Sequence, residues 1–475
     1  MLIKTKIVAT LGPASREREA IIALAEAGVD VFRLNFSHGS IEEHARTLKN
    51  VRAASRAIKR PLAVMADLCG PKIRVGRVAG GAVVLAPGSE LVIQRDPIEG
   101  TAQRISTTLP ELIDKAKKGE RLSMDDGRIR LEVVRARPPK QIVCRVLVGG
   151  HLKSSKGVNL PETDLSDLVP ALTEKDRRDV EWIVGQDIDY VALSFVQQAR
   201  EIDELRKILE AGGSTAQIVA KIEKPQALKN IEAIVEATDA VLVARGDMGV
   251  EMDLPEVPVV QKRLVALCQR LGKCCIVATQ MFESMIENAS PTRAEVSDVA
   301  NAVFEGADAA MLSGETAVGK YPVEAVKMMN AVCARVEHYL SDEHEDCVQH
   351  SELELAGTAE AMIKAVHHIV HTDRIKAVVV FTVAGTTARL LGKMRLEVPI
   401  LALTPSRRVM QQACLFYGVH AEQTKKPKHT RDVLRMAGPR VRALNWAKKG
   451  DKIVVLAGRP LGTPGGLNTL VVHSV

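Results

Sequence analysis

The segment QIVAKIEKPQALKNIEAIVEATDAVLVARGD, residues 217–247, decides the architecture. It opens on a β-branched run that ends in charge, QIVAKIEK (217–224). Apolar residues then recur at helical spacing through QALKNIEAIVEA (226–237). A second apolar run, AVLVARGD (240–247), follows and again ends in charge. Strand, helix and strand at this spacing form a βαβ unit, whose two strands lie parallel.

The same pattern extends in both directions. Its other runs are KIVATLG (6–12), VDVFRLNFSHG (29–39), LAVMADLCG (62–70), DYVALSFV (189–196), CIVATQM (275–281) and DAAMLSGE (308–315). EREAIIALAEAG (17–28) and IDELRKILEAGG (202–213) supply further helical periods. Eight units in order predict an α/β chain built on a (β/α)8 TIM barrel, with an open doubly wound sheet as the alternative. Polar residues gather at the carboxyl ends of the runs: Thr10, Arg33, Asn35, Ser37, Asp67, Ser194, Lys221, Glu223, Arg245, Asp247, Thr279, Ser313 and Glu315. In a barrel those ends form one rim, where active sites lie.

Residues 71–165 break the rhythm. RVGRVAGGAVVLAPGSELVIQRD (74–96) and GRIRLEVVRARPPKQIVCRVLVGG (127–150) are short alternating runs punctuated by Gly, Pro and Asp. They predict a small all-β domain inserted after the third strand, placed to close over the rim as a lid. The barrel then comprises residues 1–70 and 166–345. After the polar stretch SDEHEDCVQHSE (341–352), strands AVVVFTVA (377–384), PILALTPS (399–406) and DKIVVLAG (451–458) predict a C-terminal three-layer α/β domain over 346–475.

Composition narrows the function class. Of 475 residues 46% are hydrophobic but only 3% aromatic, so the core is aliphatic, as parallel strands under helices require. The net charge of +7 is dispersed, with no dense basic run for nucleic acid, and suits an enzyme of anionic metabolites. The eight cysteines show no metal-binding spacing and read as reduced thiols. The N-terminal MLIKTKIVAT lacks the apolar centre of a signal peptide, and no stretch approaches a membrane span, so a cytoplasmic protein is expected.

At the rim, strand period two puts Lys221 and Glu223 on one face, and Asp247 ends the next run. Two carboxylates suit Mg2+ or Mn2+, and a lysine beside them suits a phosphoryl or enolate oxygen. A salt-bridged barrel layer is the alternative for these three. Arg33, Asn35 and Ser37 share a face in the same way, the arginine favouring phosphate. His38 reads as a loop histidine, and Thr279 as either a pocket hydroxyl or a helix N-cap. The Gly246-Asp247-Met248 loop offers N–H groups to a substrate carboxylate. Neither a Walker A loop nor a GxGxxG fingerprint is present. The sum is a site for a phosphorylated small acid.

These residues resemble the pyruvate kinase family. The match includes TKIVATLGPAS (5–15), RLNFSHG (33–39), SKGVNLP (155–161), LTEKD (172–176), AKIEKP (220–225), VARGDMGVE (243–251), VATQMFESMI (277–286), PTRAEVSDVANAV (291–303) and MLSGETAVGKYPVEAV (311–326). It is looser within 75–150 and beyond 345. The resemblance implies an enzyme transferring phosphate from phosphoenolpyruvate to ADP, the last step of glycolysis, as a homotetramer. It implies that Glu223 and Asp247 hold Mg2+ or Mn2+, and that Arg33 and Lys221 hold the phosphoryl group. It implies that Gly246, Asp247 and Thr279 hold the substrate carboxylate, Thr279 lying near the carbon that is protonated. Asn35, Ser37, His38, Arg74 and Lys156 fall to the nucleotide. A same-type aldolase or lyase and a non-catalytic sensor are the competing readings; Arg33 and Lys156 weigh against the first, the intact rim against the second.

Two departures from the family pattern matter. FTVAGTTARL (381–390) and AGRPLGTPGGLNT (457–469) resemble its effector region, marking Thr382, Gly385, Thr386, Thr387 and Arg459 for a phosphorylated sugar or a nucleotide monophosphate. Val383 and Ala384 reduce the hydroxyl count there and put fructose 1,6-bisphosphate in doubt. In MADLCGPKIR (65–74), Leu68 and Lys72 stand where potassium-dependent members carry threonine and glutamate. With Asn35, Ser37 and Asp67 these form the family's K+ position. A tethered ammonium beside Asp67 would replace that ion and repel a free one, so K+ is not required; the alternative has Lys72 pointing to solvent.

Overall fold

The computed structural model describes residues 3–163, 165, 168, 170–342, 353, 357–461 and 466–475. Eight parallel strands close into a barrel: β1 (Lys6–Thr10), β2 (Val31–Asn35), β3 (Ala63–Asp67), β4 (Tyr190–Leu193), β5 (Gln217–Ile222), β6 (Ala240–Ala244), β7 (Cys274–Ala278) and β8 (Ala309–Leu312). β1 pairs with β8 through Lys6↔Ala309 and with β2 through Thr10↔Arg33, so the sheet has no edge and is not an open doubly wound one.

Alternate residues face opposite ways. Ile7, Ala9, Phe32, Leu34, Val64 and Ala66 pack outward against the helices, whereas Val8, Val31, Ala63, Met65, Ala192, Val219 and Leu242 fill the interior. The helices start on local chemistry: Ser40 and Glu43 form a capping box for Ile41–Ala57, as do Thr173 and Asp176 for Glu174–Ile183. One expected helix is interrupted. The period over 226–237 splits into Pro225–Leu228 and Ile231–Ala237, because Asn230 leaves helical geometry and its side chain donates to Gln197 O (3.1 Å).

Between β3 and β4 the chain forms the inserted lobe. Its six-stranded mixed sheet includes Glu90–Gln94, Arg121–Met124, Ile129–Arg137 and Gln141–Val148, around a separate aliphatic core. A two-stranded piece pairs Ala82–Leu85 with Gly150–Lys153. The lobe touches the barrel at the segment after β6: Asn159 donates to Glu251 (2.7 Å), and Arg121 bonds Asp253 (2.6 Å).

The C-terminal unit is a five-stranded sheet in the order β11-β10-β9-β12-β13, comprising β9 (Ile375–Phe381), β10 (Ile400–Thr404), β11 (Val419–Gln423), β12 (Lys452–Gly458) and β13 (Leu467–Ser474). β13 alone runs antiparallel. Helix Thr430–Ala443 covers one face, and the other face joins the apolar cluster that continues into the barrel interior. The 346 boundary, part of the polar stretch before it and residues 462–465 of the effector region lie outside the described residues.

Two buried aspartates fasten this unit to the amino-terminal end of the barrel. Asp308, just before β8, pairs with Lys393 (2.6 Å) and Arg395 (3.0 Å). Asp189, just before β4, pairs with Arg52 (2.7 Å) and Arg408 (3.2 Å). Removing one member of a buried pair strands the charge it leaves. Asp308→Asn is therefore expected to cost about 3–5 kcal/mol of stability in denaturant unfolding, and adding Lys393→Met to recover part of that loss.

Candidate active site

The interior parity that buries Val8, Met65, Ala192 and Val219 brings Thr10, Arg33, Asp67 and Lys221 inward at the carboxyl end of the barrel. Apolar layers fill the lower barrel, and a polar layer closes it. Asp67 is 1% exposed. Arg33 Nε donates to its Oδ2 (2.6 Å), and Lys221 Nζ lies 3.2 Å from its Oδ1. Burial alone would raise the Asp67 acid, but the charges of Lys221 and Arg33 outweigh it and hold the group below its ordinary value. Lys221 shows the converse: burial opposes its charge, yet Asp67 and Glu223 raise it well above an ordinary lysine.

Glu223 follows β5 and accepts from Lys221 Nζ (2.9 Å) and from Phe195 N (2.7 Å). Burial pushes it up to about 7, against the pull of Lys221 and with the added charge of Asp247. A carboxylate such as Glu223, whose charge is opposed by that of Asp247, is a fit for a hard divalent cation. Among the described residues no cluster of three or more His, Cys, Asp or Glu ligands occurs, so such an ion would complete its shell with substrate oxygens and water.

Thr279 follows β7 with φ +70°, a region that excludes most β-branched residues. Three contacts hold it there. Its Oγ1 accepts from Gly246 N (2.6 Å) and donates to Ala278 O (2.5 Å), while Arg245 donates to its carbonyl (2.6 Å). Arg245 is itself anchored on Asp298 (2.6 Å). Thr279 is not the N-cap residue of a described helix, but its hydroxyl accepts from a first-turn amide, Gly246 N, of the helix Arg245–Glu251. Its hydroxyl and Gly246, in the short helix Arg245–Glu251, already meet at one point of the rim.

The family model of the pyruvate kinase barrel domain matches residues 2–326, and that of the pyruvate kinase alpha/beta domain matches 360–473. The chain belongs to the pyruvate kinase family. A pyruvate kinase of Geobacillus stearothermophilus is 43% identical over 99% of this chain and 80% of its own length. One from Mycobacterium tuberculosis is 42% identical over 100% and 99%. The crystal structure of a pyruvate kinase from Cryptosporidium parvum superposes with a TM-score of 0.93 at 32% identity, covering 99% of this chain and 96% of that one.

The other sites marked for the family's ligands are placed as follows. Asn35 Oδ1 accepts from Ser37 N (3.1 Å) beside Asp67, the register partner of Asn35; His38 is exposed in the next turn. Arg74 donates to Ser155 O (2.9 Å), next to Lys156, which pairs with Asp125 (2.6 Å); both cations sit at the base of the inserted lobe. In the C-terminal sheet, Thr382 accepts from Gly385 N (2.9 Å) after β9, ahead of Thr386 and Thr387, which open the next helix. Arg459 follows the adjacent β12 and donates to Thr430 (2.9 Å). These five residues thus share one sheet end, where open α/β sheets bind ligands.

Lys72 requires a correction. The sequence pairs it with Asp67, but here both Asp67 oxygens are taken by Arg33 and Lys221, and Lys72 is exposed. The bonds that sequence reasoning missed are those of Thr10 and Ser194. Both stand among the rim residues, but nothing in their spacing reveals their partners.

Burial raises the pKa of Glu223 to about 7, so below about pH 7 a metal must displace its proton, and above it the carboxylate is already ionised. Mn2+ affinity, measured by titration calorimetry, is expected to fall about tenfold per pH unit below 7, and Glu223→Gln to flatten that profile.

Proposed function

We propose that the rim transfers the phosphoryl group of phosphoenolpyruvate to ADP in a Mg2+- or Mn2+-dependent reaction, giving pyruvate and ATP, as the last step of glycolysis. What carries the reading is the binding of Arg33 and Lys221 to opposite oxygens of one buried carboxylate, Asp67. Two cations held side by side, with one negative charge between them, suit a phosphoryl group in flight. Phosphoryl transfer asks the protein mainly to position groups and spread charge.

In this reading the P–O bond of the substrate breaks as an oxygen of the ADP β-phosphate takes the phosphorus. Arg33 and Lys221 hold the phosphoryl oxygens, Lys221 as the main stabiliser of charge. Gly246, Asp247 and Thr279 hold the substrate carboxylate, which displaces the Gly246–Thr279 hydrogen bond. The leaving enolate takes a proton at its terminal carbon, beside Thr279, and becomes pyruvate. Glu223 and Asp247 would hold the divalent ion, which supplies positive charge to substrate oxygens. Asn35, Ser37, His38, Arg74 and Lys156 serve the nucleotide, the last two brought in by lid closure. The same reading includes a cytoplasmic homotetramer and a phosphorylated sugar or nucleotide monophosphate at Thr382, Gly385, Thr386, Thr387 and Arg459. Among the described residues no helix is long and apolar enough to cross a membrane.

A lactate dehydrogenase-coupled assay with phosphoenolpyruvate and ADP tests the reading: turnover is expected, and none with any nucleoside diphosphate would overturn it. Lys221→Met is expected to retain metal and substrate binding and lose about 100- to 1,000-fold in kcat.

The same proposal holds that turnover needs no K+. Its support is the presence of Lys72 and Leu68 where potassium-dependent members carry glutamate and threonine. Lid closure is the motion that would bring Lys72 to the monovalent position. Activity is expected in potassium-free buffer, and a K+ requirement in Lys72→Glu. Full dependence of the unaltered enzyme on K+ would refute this.

A further inference from the structure

Beside its carboxylate contacts (Asp67 for Arg33, Asp67 and Glu223 for Lys221), each phosphoryl-binding cation has one uncharged partner. Arg33 donates from its guanidinium to Thr10 Oγ1 (3.0 Å), and Thr10 donates onward to Leu312 O (3.0 Å). Lys221 donates to Ser194 Oγ (2.6 Å), and Ser194 donates onward to Leu68 O (2.7 Å). The two chains have the same construction: cation, hydroxyl, carbonyl at a strand end. Thr10 is 3% exposed and Ser194 1%. Thr10 is the register partner of Arg33, and its own carbonyl accepts from Thr316 Oγ1 (2.9 Å).

A hydroxyl has one proton and two lone pairs. With that proton directed to a carbonyl (for Ser194 at 2.7 Å, against 3.5 Å to Asp67 Oδ1), lone pairs face the cation. The hydroxyl then acts as a fixed acceptor that directs the cation. Because it is neutral, it does so without cancelling positive charge. A second carboxylate in its place would hold the side chain as firmly and leave less charge for the phosphoryl oxygens.

From these two chains we infer that Thr10 and Ser194 are positioning residues: Thr10 aims Arg33, Ser194 aims Lys221, and both leave the charge intact for phosphoryl transfer. The inference rests on the proposed function and goes beyond it in separating the two cations. In that function Arg33 serves the phosphoryl group alone, whereas Lys221, which also pairs with the metal-side carboxylate Glu223 (2.9 Å), is directed toward the enolate oxygen as well. Loss of Thr10's acceptor should therefore impair transfer but not enolisation, whereas loss of Ser194's should impair both.

Enolisation is read without phosphate transfer, as exchange of the pyruvate methyl protons for deuterium in D2O with Mg2+, followed by NMR. Thr10→Val is expected to lower kcat for ATP formation about 10- to 100-fold, with exchange held within about threefold of the unaltered enzyme. Thr10→Ser, which keeps the hydroxyl, is expected to restore ATP formation to within about threefold. Ser194→Ala is expected to lower ATP formation and exchange together, about 10-fold or more. Melting temperatures, measured alongside, separate aiming from folding. The inference falls if Thr10→Val or Ser194→Ala retains ATP formation within about twofold. It falls equally if Thr10→Ser, melting with the unaltered protein, is as impaired as Thr10→Val, or if Thr10→Val loses exchange as severely as transfer. An unaltered enzyme that forms no ATP overturns the proposed function itself; an active one with unaffected variants overturns only this inference.

Discussion

A single buried carboxylate organises the rim. Arg33 and Lys221 project from β2 and β5 into one layer, where two cations side by side repel. Asp67 gives each of them one oxygen. Its own burial is costly, and that cost is offset only because two charges answer it. The arrangement is thus mutual: the cations keep Asp67 ionised, and Asp67 keeps the cations in place. Glu223 also pairs with Lys221 (2.9 Å), so of the two cations Arg33 has its charge less offset by carboxylates.

The opposite end of the barrel uses the same residue types for a different purpose. Asp189 and Asp308 are each held by two cations that come from another helix or from the C-terminal unit. Those charges serve cohesion, since they tie the C-terminal sheet to the barrel's amino-terminal end. This division follows the barrel rule that one end carries chemistry and the other stability. The inserted lobe joins the chemical end through Asn159–Glu251 and Arg121–Asp253. Both contacts fall on or just beyond the short helix that carries Gly246 and Asp247, so the lobe and that helix share a boundary.

Much of this was legible in the order of residues. The eight strands and their inward parity follow from period two, and so does the meeting of Lys221 with Glu223. The polar ends of the runs mark the rim before any coordinates. Other features were not legible. The break at Asn230 depends on a carbonyl of another βα loop, at Gln197. The strain at Thr279 depends on Arg245, which lies one strand away and is anchored on Asp298. Lys72 is the instructive case. Its proximity in sequence to Asp67 suggests a pair, but in this structure Asp67 takes its partners from β2 and β5 and Lys72 is exposed.

By itself the sequence determined the barrel, the inserted lobe, the C-terminal α/β unit and which strand ends carry charge, because periodicity and the ends of apolar runs are local properties. Only the tertiary structure decided which charges meet. Ring closure sets β1 beside β2 and β8, and β4 beside β3 and β5. That closure puts Thr10 against Arg33, Ser194 against Lys221, and both cations on Asp67. Hydrogen-bond partners are set by distance in space, and in a closed sheet residues far apart in the chain become neighbours through the barrel interior.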